Sequence, residues 1–400
     1  MEDIIAGIGA RLVRWRLDPK TRGLHELGSL DLPAAIQYAW PHPSGRWLYV
    51  ASSDGGGRSG PTGKRHHITT CAMRRDGSVV QVGPALAVPS RPIHLTVDPD
   101  GAHVLAAFNQ PAALRSYRIG KDASVTAEVR QPAAIDAGNY PHQVRVTPDG
   151  QHVLSTALGQ NPAAGRVEDP GSIRLFAYAD GKLKSEQLVA PGGGYGFGPR
   201  HLDIHPNGRW VYVSVERQNR LDIFELAAGR LSAVPKFSVP LLSRPQVGAG
   251  VGSMKQISGA IHVHPNGRFL YCVNRASDVT DFNGVPVFAG GENTLAVFAI
   301  DAESGRIELL QHADTGGFHC RAFTIDPTES LLCAAHITGM NLRSGDRVEA
   351  TPPRLSVFDI ADDGRLTLDR SHDIATGGAS MFWLGMPHLE QSEPSTPLQP

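Results

Sequence analysis

Five residues of the chain stand in a fixed relation to one recurring turn. His142, Arg200 and Arg321 each lie six residues before the turn's proline; Glu216 and Arg275 each lie ten residues after it. Brought together, the three guanidinium groups would repel one another, and their planar forks suit a carboxylate or a phosphate. The same positive charge would stabilise an oxyanion formed when water attacks a carbonyl. His142 is the candidate general base, because imidazole titrates near neutral pH. Glu216, beside an arginine, is expected to stay ionised and to orient Arg200 or the water. Such a set suits a small ligand that carries a carboxylate or a phosphate. The plainer alternative is structural: Arg200 and Glu216 as an ion pair, with Arg275 and Arg321 bridging neighbouring sheets. His201 alternates with Arg200 along its strand and is expected to face away from the site. Gln37, Asn109 and His319 are second-rank lining candidates.

The elements that must position these residues are repeated. HPSGRWLYVAS (42–52), DPDGAHVLAAF (98–108), TPDGQHVLSTA (147–157), HPNGRWVYVSV (205–215), HPNGRFLYCVN (264–274) and DPTESLLCAAH (326–336) share one pattern. In GPRHLDIHPNGRWVYVSVE (198–216) it reads as a β-hairpin about an Asn-Gly turn, with Arg200 opposite Glu216 at the open end. Each unit adds a later strand, such as LDIFEL (221–226) or LSVFDI (355–360), and a final short one. Four strands per unit of about 50–60 residues is the size and pattern of a propeller blade. Residues 11–30 resemble third and fourth strands and 379–387 a first strand, so the ends should share a seventh blade and close the ring. The expected fold is all-β: one seven-bladed β-propeller over 1–388, then a flexible tail over 389–400.

In such a ring the start of each first strand and the end of each second strand meet at the top of the channel. The aligned positions are Gln37, Ile93, His142, Arg200, Gly259 and Arg321 on one side and Ser53, Asn109, Leu158, Glu216, Arg275 and Ile337 on the other. Their chemistry scatters while the turn repeats. Long connections at 54–67, 159–171, 191–198, 243–256 and 276–293 fall on the same face, which therefore reads as the binding face.

Composition narrows the function. The 400 residues carry a net charge of −1, leaving no basic surplus for nucleic acid. Charged residues make up only 19%, against 44 Gly and 30 Pro, which favours tight turns over long helices. Cys71, Cys272, Cys320 and Cys333 form no CxxC pair and read as buried thiols. No signal peptide or membrane span is expected, and the cytoplasm fits best, with the protein a monomer or homodimer. His205 and His264 occupy the repeated turn and read as structural. His262 and His264 form one HxH without a further ligand set, so no metal is expected.

PHQVRVTPDG (141–150), GPRHLDIHPNGRWVYVSVERQNRLDIFEL (198–226), HPNGRFLYCVNR (264–275) and CRAFTIDPTESLL (320–332) together resemble the seven-bladed propeller lactonase family, which is similar to both 6-phosphogluconolactonase and carboxy-cis,cis-muconate cyclase. The resemblance implies an enzyme acting on a small anionic lactone or diacid, with hydrolysis of a sugar-acid or related lactone, without metal or other cofactor, as the leading reading. It also implies catalytic roles for His142 of PHQV, Arg200 of GPRH, Glu216 of VERQN and Arg275 of VNR; Arg321, isolated by the repeat alone, is the candidate substrate-binding residue. Family members often read DLG-x-D where this chain reads ALGQN (157–161), and the insert after Arg275 is atypical. A muconate-type cycloisomerase on the same site, and a non-catalytic binding propeller, are the alternatives. Few aromatics on the top loops count against the second.

Overall fold

In six sheets the repeated turn joins the innermost strand to its neighbour. A computed structural model describes residues 2–56, 60–162, 165–244 and 256–386. The inner strands are Ile36–Pro41, Pro92–Val97, Pro141–Val146, Pro199–Ile204, Gln256–Val263, Cys320–Ile325 and Met381–Gly385, here blades one to seven. Each heads an antiparallel sheet of four strands in a row, and adjacent inner strands pack around one axis. Blade four also pairs a short Arg230–Leu231 segment with its third strand.

Blade seven joins the two ends of the chain. Met381–Gly385 pairs with Glu2–Ile8, which pairs with Arg11–Leu17, which pairs with Leu24–Asp31. The second strand, Glu2–Ile8, is not expected from the repeat. The turn that marks every other second strand is replaced here by the two chain ends. The expected tail, 389–400, lies outside the described residues, as does most of 243–256.

The repeated turn chemistry inside the chain has a mechanical cause. His42 Nε2 lies 3.1 Å from the Gly101 carbonyl, His205 Nε2 2.9 Å from that of Gly267, and His264 Nε2 3.1 Å from that of Glu329. Each turn histidine thus reaches the turn of the next blade. The tyrosine seven residues on does the same at the outer rim: Tyr212 donates to the Gly305 carbonyl at 3.3 Å and Tyr271 to that of Gly364 at 3.0 Å. Buried apolar side chains fill the space between neighbouring sheets, as where Trp210, Tyr212 and Leu221 meet Ile261, Leu270 and Phe298.

Gly305 shows how tight this contact is. Its φ is +73°, and a Cβ there would lie 2.2 Å from the Trp210 ring. Gly305→Ala is expected to cost about 2–4 kcal/mol, from overpacking plus the left-handed backbone. Gly284→Ala, at φ +80° with open space around it, should cost only the backbone part, about 1–2 kcal/mol. Urea unfolding midpoints of the two variants check this; equal losses would mean that the Trp210 contact is soft.

Four connections from second to third strand are long, and the one after Leu331–His336 is not among the long connections expected from the sequence. Those of blades five and six fold as hairpins, Val279–Phe282 with Val285–Phe288 and Met340–Ser344 with Arg347–Thr351. The hairpins lean on each other: Asn341 Nδ2 donates to the Pro286 carbonyl at 3.2 Å, and the Arg343 guanidinium lies over Phe282 at 4.2 Å. Among the described residues no helix is long and apolar enough to cross a membrane. The four cysteines are buried and unpaired.

Candidate active site

Every inner strand slips register once, at the same place. The pairing jumps between Ile36 and Tyr38, Pro92 and His94, Pro141 and Gln143, Pro199 and His201, Ser258 and Ile261, Cys320 and Ala322, and Met381 and Trp383. A β-bulge leaves one residue unpaired and re-aims its side chain. The residues skipped are Gln37, Ile93, His142, Arg200, Arg321 and Phe382, with Gly259–Ala260 in blade five. Apart from Gly259 they line one axial cavity of about 210 Å³. The scatter in chemistry at these positions thus has a cause: the bulge withdraws them from the ladder and turns them toward the channel.

Glu216, which does not itself line the cavity, bridges two buried arginines through one oxygen. Arg200 Nε lies 2.9 Å and Arg275 Nη2 2.8 Å from Glu216 Oε1, and the arginine side chains are 2% and 3% exposed. Arg275 crosses from the second strand of blade five. Gly259 makes room, since a Cβ there would lie 3.3 Å from Arg275 Nε. Arg275 also lies 3.3 Å from His319 Nε2. Glu216 begins a 3-10 turn, Glu216–Gln218, whose end Asn219 takes φ +47° and donates to the Gln256 carbonyl at 2.9 Å. That is the physical content of E-x-x-N: the turn carries Glu216 inward and the asparagine ties it to blade five.

Arg321 enters from blade six and stacks on Phe382 of blade seven, 3.8 Å from the ring centroid. No carboxylate pairs with it among the described residues. Burial lowers the Arg200 pKa to about 9, helped by Arg275 and opposed by Glu216. Burial and then Arg200, Arg275 and Arg91 hold Arg321 well below the ordinary arginine value.

His142 is buried, with Nδ1 lacking a hydrogen-bond partner. Burial and then the Arg200 and Arg321 charges push its pKa well below 6.5. The ring is therefore neutral at neutral pH and able to accept a proton, but a weaker base than a free imidazole.

His201 departs from expectation. The bulge at Arg200 breaks the alternation, so both neighbours line the cavity, and His201 Nδ1 lies 3.2 Å from Arg200 Nη1. His201 stands 5.0 Å from His142 and 6.3 Å from His94, ring to ring, and His94 stacks 4.0 Å from Tyr38. Gln37 lines the cavity as well. Asn109 does not: it ends the second strand of blade two, where a tight turn leads directly into Ala112–Ile119. His319 reaches the site through Arg275. His262 faces Asp203 and Phe323 while His264 belongs to the turn, so the HxH pair divides. Among the described residues no cluster of His, Cys, Asp or Glu is placed to hold a metal ion.

Beyond His201, two further residues outside the aligned positions bear on the site. Phe382 occupies the bulge of the one blade without the turn motif. Arg91 precedes its inner strand and escapes the count; its Nε donates to Gln37 Oε1 at 2.8 Å.

Residues 4–351 match the family model described as lactonase, 7-bladed beta-propeller. A 6-phosphogluconolactonase of Pectobacterium carotovorum is 26% identical over 314 residues, 77% of this chain and 80% of that protein. One from Bacillus subtilis is 27% identical over 289 residues, 69% and 68% of the two chains. Among solved structures, a periplasmic gluconolactonase of Pseudomonas aeruginosa superposes with a TM-score of 0.72 at 20% identity, covering 95% of this chain and 97% of that one. A putative 6-phosphogluconolactonase from Bacteroides uniformis gives 0.68 at 19%, covering 97% and 98%. At such identities the structural likeness speaks for the fold.

Proposed function

The chain belongs to the seven-bladed β-propeller lactonase family, and from that premise we propose that it hydrolyses an anionic sugar-acid lactone of the 6-phosphogluconolactone type at the bulge ring. The observation that carries this reading is the Glu216 bridge, which holds two buried guanidinium groups beside a neutral, partly unbonded imidazole. Arg200 and Arg275 receive the lactone carbonyl oxygen and stabilise the charge it gains as water attacks. His142 takes the proton of that water. It returns the proton to the ring oxygen as the carbon–oxygen bond breaks, which leaves a hydroxy acid. The acid ionises at neutral pH and releases one proton per turnover. Glu216 keeps the arginines in place. The cyclisation alternative has no support in the named relatives, which are lactonases.

A proton-release assay tests this against gluconolactone, its 6-phosphate and muconolactone. Turnover of a sugar-acid lactone that falls on the order of 10²-fold in His142→Ala is expected. No turnover by the folded native protein on any of them would sink the reading.

The pH profile offers a separate check. A histidine whose pKa is depressed loses its base function only as pH falls through the lowered value. In the free enzyme kcat/KM should therefore stay level from pH 7.5 down past about 6.5, the ordinary imidazole pKa, and decline below it. Bound anionic substrate offsets the arginines, so the acid limb of kcat should lie higher than that of kcat/KM. A kcat/KM limb centred at or above 6.5 would remove His142 from the role.

A further inference from the structure

Four arginines stand in or beside the cavity, Arg200 and Arg321 lining it, Arg275 joined to it through Glu216 and Arg91 through Gln37, and they divide into two kinds. Arg200 and Arg275 share Glu216. Arg91 and Arg321 have no acidic partner among the described residues, and each is held by a neutral group instead. Gln37 donates through Nε2 to the Ala35 carbonyl at 3.0 Å, which turns its amide oxygen toward Arg91 Nε. A glutamate there would have neutralised the guanidinium; a glutamine orients it and leaves its charge intact. Arg321 is braced by the face of Phe382, which leaves all its N–H groups uncommitted.

Arg91 is 7% exposed, yet its two terminal nitrogens make no hydrogen bond within the described residues and are not sealed from solvent. Arg321 is half-buried and lines the cavity. They approach from blades two and six, with His142 and Arg200 on the blades between them. The Arg91 charge adds, with those of Arg200 and Arg275, to the positive field at Arg321, and Glu216 offsets it only in part. Desolvated cations that keep free donors are built for an anion that arrives from outside.

We propose that Arg91 and Arg321 form a second anion subsite, distinct from the Glu216-bridged pair, which takes a doubly charged or second acidic group carried by the substrate away from its lactone carbonyl. This extends the lactonase reading by assigning the substrate's distal end. The group is a phosphate monoester or a carboxylate; both present oxygens to two guanidinium forks.

Equilibrium binding at fixed ionic strength separates the two and needs no turnover. Gluconate, 6-phosphogluconate and glucarate differ only at the sixth carbon, which is respectively a hydroxymethyl group, its phosphate ester and a carboxylate. Native protein is expected to bind one of the two charged forms at least about tenfold tighter than gluconate, and which one identifies the group. Arg91→Gln and Arg321→Gln should each weaken the charged form far more than gluconate, erasing most of that preference. Thermal midpoints confirm that the variants fold. If either does not, Arg91→Lys and Arg321→Lys keep the charge and should retain part of the preference, and Gln37→Leu, which frees Arg91, should weaken it. Equal binding of all three ligands by native protein would overturn the subsite, as would an unchanged preference in both glutamine variants. Failure of catalysis on every lactone, with the binding preference intact, would instead count against the hydrolytic reading alone.

Discussion

Glu216→Ala is expected to cost about 3–5 kcal/mol of stability, the usual penalty for removing one partner of a buried charge pair, and to lower kcat on the order of 10³-fold through loss of a placed oxyanion donor set. The reason is the shared oxygen. Arg200 and Arg275 are 2% and 3% exposed and both bond to Glu216 Oε1. Without it two buried cations face each other, and a further cation, Arg321, adds to their repulsion. Glu216→Gln separates geometry from charge. Its amide oxygen can still accept from one arginine, so the fold should survive better. The funnel, however, becomes one unit more positive, so KM for an anionic lactone should fall while kcat falls too. Urea unfolding and steady-state kinetics of both variants read this out. An unchanged kcat in Glu216→Gln would show that the arginines hold their places without the bridge.

That network is legible in the sequence because the repeat supplies its own alignment. Counting from the turn proline isolates Arg200, Glu216, Arg275, His142 and Arg321; the fold brings His142, Arg200 and Arg321 into one cavity and joins Glu216 and Arg275 to it through Arg200. Alternation along a strand fails at His201 for a definite reason. The bulge that re-aims Arg200 also resets the parity of the residues after it, and a bulge leaves no mark in a single strand's hydrophobic pattern. Phe382 is hidden because its blade is assembled from both ends of the chain and has no turn to count from. Arg91 is hidden because it stands outside the repeated positions, and only the Gln37 contact reveals its direction. The strand Glu2–Ile8 escapes for the same reason as Phe382. Local pattern carries the six complete blades; closure of the ring and the turning of side chains into the channel are tertiary facts.

The buried histidines predict acid lability ahead of any carboxylate. His94, His142 and His201 are all held well below the ordinary imidazole pKa, each by burial first. The charges that add to this effect come from several blades: Arg145, Arg200 and His262 for His94, and Arg200 and Arg321 for the other two. His94 is the extreme case, with 0% exposure and neither ring nitrogen hydrogen-bonded. In the unfolded chain all three protonate near pH 6.5, while in the folded protein they stay neutral to much lower pH. Between those limits the unfolded state binds more protons, so stability falls as pH falls. Each group contributes up to ~1.4 kcal/mol per pH unit, and three give a slope of ~4 kcal/mol per unit once pH is well below 6.5. His336, lowered by burial to about 4, steepens it further. Asp203, which burial alone would raise but Arg145 and His262 bring down to about 2, cannot account for losses in that window. Set against a total stability of about 5–15 kcal/mol, the slope should unfold the protein within roughly two pH units. His94→Phe keeps the ring stacked on Tyr38 and removes both orphaned nitrogens. It should stabilise the protein below pH 6 and take about a quarter off the slope in urea titrations at pH 5 to 6. A variant with the native slope would show that His94 does not stay neutral in the folded state.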